Sequence, residues 1–222
     1  MRYIQRHSAF ARTVHWAHTI ACLSLFVTGI LLFVPGIASS LSVGAMQVSR
    51  AVHRVAAVIF IGVPVLGIIF SPGGAKRFFA QLFAKWDDDD KEFMRKFLPY
   101  LFNPKKVHMP KQHEIKSGQR FADFFILGFA LLMAFSGIFM WLAKFMDPGF
   151  IRWMYFVHDL SMIGLGVFLA GHIYLGSGIF QPYRGTIRLM FGDGKVSEAD
   201  AMYHWGHWAE EELKKGDKVV EA

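Results

Sequence analysis

Four long apolar runs constrain this chain more than any other feature in it. A helix needs about 20 apolar residues to cross a hydrocarbon core. Runs of that length extend approximately over 14–34, 51–70, 121–143 and 153–180. The sequence therefore predicts an all-α membrane protein, a four-helix transmembrane bundle forming one domain over residues 1–222. Its 54% hydrophobic content and 16% aromatics exceed those of an ordinary soluble domain. Pro64 is expected to kink the second span and Ser71-Pro72-Gly73-Gly74 to stop it. The fourth run is long enough to tilt or to extend beyond the bilayer.

Polar segments divide the runs unevenly. A loop over 71–120 separates spans two and three, and a tail over 181–222 follows span four. Of the 24 Lys and Arg residues, 3 precede the first span, 11 lie in the long loop and 6 in the tail, leaving Arg50, Arg54, Lys144 and Arg152 for the other face. By the positive-inside rule, both termini and the long loop are cytoplasmic. The net charge of +7 then meets lipid headgroups, and no recognition motif accompanies it that would point to nucleic acid. Residues 75–83 mix basic and aromatic side chains like a helix lying on a membrane surface. The run Asp87 to Asp90 reads as a solvated turn, since it lacks the spacing and glycine of an EF-hand loop.

Cys22, the one cysteine, lies within the first run. A single cysteine excludes an intramolecular disulfide, a cysteine-ligated iron–sulfur cluster and CxxCH haem attachment. The first run is too long for a signal peptide and has no small-residue cleavage site close behind it, so it is expected to stay as a span.

Ionisable side chains within spans are costly and call for a reason. His15 opens span one and His53 opens span two from opposite sides, while span four carries His158 in its outer part and His172 in its inner part. Depth sorts them into two pairs, His15 with His172 and His53 with His158. Fourteen residues of helix return to within about 40° of the same face and climb about 21 Å, so His158 and His172 point one way at two depths. That is the geometry for two haems stacked across the bilayer, each iron held by one imidazole from span four and one from a facing helix. Zinc would want further ligands at each level. A single histidine in a span is as often a polar link between helices as a ligand, but four matched in depth are harder to explain that way. His18, one turn from His15, is its rival.

The remaining histidines, His7, His108, His113, His204 and His207, lie in polar segments and are expected to be exposed or interfacial. The stretch His204-Trp205-Gly206-His207-Trp208 reads as an interfacial anchor. Glycines within the spans, among them Gly29, Gly137, Gly164 and Gly171, permit close helix packing or room for a porphyrin. Arg50 and Arg54 flank His53 as partners for propionates of an outer haem, with Arg12 or Arg120 serving an inner one.

Several of these fragments occur together in one family. Arg12-Thr13-Val14-His15-Trp16, Arg50-Ala51-Val52-His53, Ser117-Gly118-Gln119, Val157-His158, His172-Ile173-Tyr174 and a Lys-Val-Ser segment before a His/Trp-rich tail resemble the cytochrome b (gamma) subunit of respiratory membrane-bound formate dehydrogenase over nearly the whole chain. The family's His-Trp pair selects His15 over His18. The resemblance implies two haem b groups, with His15 and His172 on the inner iron and His53 and His158 on the outer. It implies electron flow from a molybdenum or tungsten formate-oxidising subunit through an iron–sulfur subunit to menaquinone or ubiquinone at the cytoplasmic face of a bacterial inner membrane. The chain would be an electron-transfer subunit, not itself an oxidase of formate. The quinone would sit beside the inner haem, near Gly118, Gln119 and His172. Lys116 stands where the family often has asparagine, and supplies charge or a proton there. The long loop would either contact a neighbouring copy in a higher oligomer or cover the quinone pocket. A hydrogenase or a thiosulfate or polysulfide reductase could serve as donor instead, and a haem-free transporter or membrane anchor is the reading from a different class.

Overall fold

The computed structural model describes residues 1–221. It divides into two compact units, one of Phe10–Arg77 and one of Met1–Ala9 together with Phe78 onward. The first unit contains α1 (Ala9–Phe33, with Ala9 across the boundary), the short α2 (Pro35–Ala38) and α3 (Val43–Phe70), and α4 (Pro72–Leu82) carries the boundary between the units. Pro35 starts α2 at its first turn, where a missing N–H costs nothing. Ser42 caps α3 by accepting from the Ala45 N–H at 3.2 Å. The helix then continues through Pro64 to Phe70.

Contacts between α1 and α3 run in opposite chain order. Thr28 meets His53 at 2.8 Å, the His18 ring stacks on Phe60 at 4.3 Å, and Val14 lies where a Cβ on Gly67 would be 3.4 Å away. The two helices are therefore antiparallel.

The second unit is built on α6 (Ser117–Trp141) and α7 (Pro148–Gly176), joined through a 3-10 turn at Ala143–Phe145. Asp147 caps α7 by accepting from the Phe150 N–H at 2.9 Å, and Pro148 fills its first position. Aromatic side chains set the packing. Phe125 stacks on Phe168 with centroids 4.7 Å apart, and Phe129 occupies the space over Gly164, where a Cβ would fall 2.5 Å from its ring.

These four long helices contain 25, 28, 25 and 29 residues. At 1.5 Å per residue each exceeds a hydrocarbon core of about 30 Å. Val48, Val55 and Val167 are each more than 60% exposed, an arrangement suited to lipid rather than water. Every long helix begins before its apolar run, because hydropathy follows the lipid-facing stretch whereas the helix continues to its cap. His53 is thus ten residues inside α3 rather than at its opening, and His15 six residues inside α1.

The polar segments are more structured than the sequence predicts. Asp87 to Asp90 is not a solvated turn but the start of α5 (Asp88–Phe102). Asp87 is its N-cap, Asp87 and Asp90 form a reciprocal capping box, and Asp90 is buried. The reason is the neighbouring cation, since Asp90 accepts from Arg120 Nη1 at 2.8 Å and from Ser117 Oγ at 2.7 Å.

A three-stranded antiparallel sheet, which the sequence reading missed, places β1 (Arg2–Gln5) between β2 (Lys195–Ser197) and β3 (Val219–Glu221). Ile4 pairs with Val196 and with Val219. With α8 (Arg188–Phe191), α9 (Glu198–His204) and α10 (Gly206–Lys215) the sheet encloses a core of Ile4, Leu189, Val196, Ala201, Trp205, Trp208 and Ala209. The His/Trp stretch is accordingly no interfacial anchor. His204, Trp205 and Trp208 are buried, because α9 and α10 turn the two indoles onto the sheet.

Candidate functional site

Hydrogen bonding identifies the state of two histidines. In the first unit Thr28 Oγ1 lies 2.8 Å from His53 Nδ1 and 2.7 Å from the Ser24 carbonyl one turn back. In the second, Ser136 Oγ lies 3.0 Å from His158 Nδ1 and 2.6 Å from the Leu132 carbonyl. A hydroxyl has one proton to give, and the carbonyl one turn back takes it. The ring nitrogen must then be the donor. Each imidazole then carries a proton on Nδ1. Metal-ligating histidines are held in this way by an acceptor on the nitrogen that does not bind the metal. The donor set therefore fits an iron-bound macrocycle. Gly137 extends the fit, since a Cβ there would press to 3.3 Å from His158 Cε1, the carbon between the two nitrogens.

The other histidines lie nearer the helix ends that adjoin the polar segments. His15 sits on α1 with Trp16 edge-on at 5.6 Å, and His18 lies flat against Phe60. His172 is four residues from the end of α7. Gly176, one turn on, keeps the space beside its Nε2 free of side chain, as a Cβ there would come within 3.8 Å. His158 and His172 stand on one helix, whereas His15 and His53 belong to the other unit. Among the described residues no group of three or more His, Cys, Asp or Glu is arranged to hold a metal ion by itself.

Around the start of α6 the side chains have distinct partners. Lys116 is buried with Nζ 3.7 Å from the Tyr183 ring centroid and 4.4 Å from that of Trp205. Burial, reinforced by the charge of Arg6, holds its ammonium well below the ordinary lysine pKa. Arg6 stacks over Trp205 and Trp208, and burial lowers its pKa to about 10. His204, which the sequence placed at an exposed or interfacial position, is buried beside Tyr183, and burial followed by the charges of Lys116 and Arg6 lowers its pKa to about 3. The open side of Gly118 faces Phe93, whose Cε1 would lie 3.1 Å from an added Cβ, while the Gln119 side chain is on the exposed face. Arg120 is committed to Asp90 and to the Ala84 carbonyl, which removes it as a candidate for a propionate.

Sequence reasoning missed Thr28 and Ser136. Their signal was present, since each is a hydroxyl followed by Gly-Ile within an apolar run, but the register of the antiparallel partner was needed to read it.

The family model described as prokaryotic cytochrome b561 matches residues 6–193, which include all four long helices. No curated protein matches the chain.

Proposed function

The chain belongs to the prokaryotic cytochrome b561 family, and on that premise we propose that it is the dihaem subunit of a membrane-bound formate dehydrogenase, delivering electrons to quinone. Membership makes it a b-type cytochrome of bacterial membrane electron transfer, and haem b supplies a one-electron iron couple when bound. The observation that carries the ligand reading is the pair His53 and His158, each in mid-helix with Nδ1–H donated to a hydroxyl. His53 and His158 would hold one iron, and His15 and His172 the other, on the depth and spacing of these residues in the sequence. Their Nε2 atoms are the donors, and the surrounding apolar side chains exclude water.

Lys116, Gly118, Gln119 and His172 would form the quinone pocket. Gln119 offers an exposed amide for a quinone carbonyl, and the Lys116 amine, held well below its ordinary pKa by burial, can take up and release a proton at Nζ. Gly118 contributes by admitting Phe93 of α5. With 20 of 24 basic residues on the terminal segments and the long loop, both termini would be cytoplasmic. The donor would be a molybdenum or tungsten catalytic subunit acting through an iron–sulfur subunit, the partners that the resemblance of the four histidine contexts implies.

The test is a dithionite-reduced minus air-oxidised visible spectrum of the purified chain with pyridine-haemochrome quantification. Two b haems per chain are expected, with loss of absorbance in His158→Ala and His172→Ala. An unaltered spectrum in both variants would sink the ligand assignment, and a colourless, well-folded, haem-supplied preparation would favour a transporter or anchor. A hydrogenase or a thiosulfate or polysulfide reductase is the second reading, because the family description specifies no donor. Identification of the co-purifying catalytic subunit separates the two.

A further inference from the structure

A cavity of about 520 Å³ opens among three turns of the second unit, and its wall includes Asn103 and Lys105 after α5, Gln181 and Arg184 after α7, and Asp200 and His204 on α9. His204 is buried, at 7% exposure, whereas Lys105, Arg184 and Asp200 are exposed. Two aromatic rings connect His204 to the start of α6. Its ring centroid is 5.0 Å from that of Tyr183 and 5.4 Å from that of Trp205, and Lys116 Nζ is 3.7 Å and 4.4 Å from the same two. Lys116 itself is 6% exposed and off the cavity wall. We infer that His204 is the proton-relay residue through which Lys116 exchanges protons with water in this cavity. This rests on the quinone pocket of the preceding section, of which Lys116 is part.

Quinone takes up two electrons and two protons in becoming quinol. An imidazole suits the supply of those protons, because one nitrogen can accept as the other releases. A proton given up at Lys116 Nζ leaves a neutral amine, His204 returns one to it, and cavity water replaces the one that His204 released. One proton thus enters from solvent for each one delivered. The surroundings of His204 favour transfer over storage. Facing it are Tyr183 after α7, Tyr203 and Trp205 beside it in the chain, Lys116 before α6 and Arg6 after β1, with Asp200 one turn back on the cavity wall. Lys116 and Arg6 both lower its pKa after burial has done so, and Arg6 lowers that of Lys116. Lys116 and His204 therefore resist being protonated together, and a proton on one is driven toward the other or toward the cavity. The alternative is a ring that only fills space. A phenylalanine would fill it without the cost of desolvating an imidazole beside two cations.

The experiment uses the haem-loaded, detergent-purified chain, photoreduced with a deazaflavin and mixed in a stopped-flow instrument with menadione, a naphthoquinone without a tail. The return of the oxidised haem spectrum reads the rate. His204→Phe and His204→Ala are expected to slow it about ten- to a hundredfold at saturating menadione while leaving the half-saturating concentration unchanged. Imidazole added to His204→Ala restores most of the parental rate, since the cavity can hold the missing ring. Pyrazole, of the same size but a far weaker base, does not restore it. Parental rates in both variants would overturn the inference. Equal restoration by imidazole and pyrazole would also overturn it, because packing would then be the cause. A raised half-saturating concentration at an unchanged limiting rate would do the same, by making His204 part of quinone binding. A haem-loaded parent that menadione does not reoxidise would remove the quinone reading and this inference with it.

Discussion

His204 illustrates what burial does to one side chain. The imidazole is shut in against Tyr183, with Lys116 and Arg6 as neighbouring charges, and its pKa falls to about 3 from an ordinary value near 6.5. Below pH 6.5 the unfolded chain takes up a proton that the folded form excludes, so stability is fully present above that pH and declines as the pH falls toward 3. The shift sets an upper limit of about 4–5 kcal/mol on the loss. Lys116, also held below its ordinary pKa, adds a slope of the same sign at higher pH. Thermal unfolding in detergent should therefore rise from pH 4 to pH 8, and His204→Phe should flatten the acid part of the curve. An unchanged slope in that variant would assign the effect to another group. At this scale the sequence singles out His15, His53, His158 and His172, because a histidine in an apolar run is conspicuous. It did not show what holds them. Thr28 and Ser136 look like ordinary polar residues until their antiparallel partners are in register, and His204 looked exposed because it lies in a polar segment outside the apolar runs.

The helix α5 depends on one buried ion pair. Arg120 and Asp90 are 5% and 3% exposed, and their contact is completed by Ser117, whose backbone N–H donates to Gln112 Oε1 at 3.0 Å. Replacing one member leaves the other charge buried without its counter-ion, which costs about 3–5 kcal/mol. Asp90→Asn should release α5 and expose the 71–116 segment to limited proteolysis, while Asp88→Asn, whose side chain is fully exposed, should leave it protected. Equal cleavage of the two variants would show that Phe93 and Tyr100 hold α5 without the ion pair. Elements in the apolar runs were legible because about 20 consecutive apolar residues leave little choice of structure. The helix anticipated over 75–83 is present as Pro72–Leu82. The sheet was not legible, since its strands have three or four residues each and pair across nearly the length of the chain, and no local pattern announces such a partner.

For the whole molecule, the family match covers residues 6–193 and leaves β1, β2, α9, α10 and β3 outside it. The electron-transfer chemistry therefore lies in the matched part. His158→Ala should abolish one wave of a redox titration and His172→Ala another, and loss of one and the same wave in both variants would break the reading of two haems at two depths. The strand β1 has a consequence of another kind. It lies at the centre of a sheet whose outer strands are Lys195–Ser197 and Val219–Glu221, so Arg2–Gln5 acquires its neighbours only after all four long helices have been synthesised. Ile4, fully covered in the finished fold, depends for that cover on residues far along the chain. A nascent chain stalled before Lys195 would therefore present that isoleucine without Val196 and the two indoles that complete its cluster.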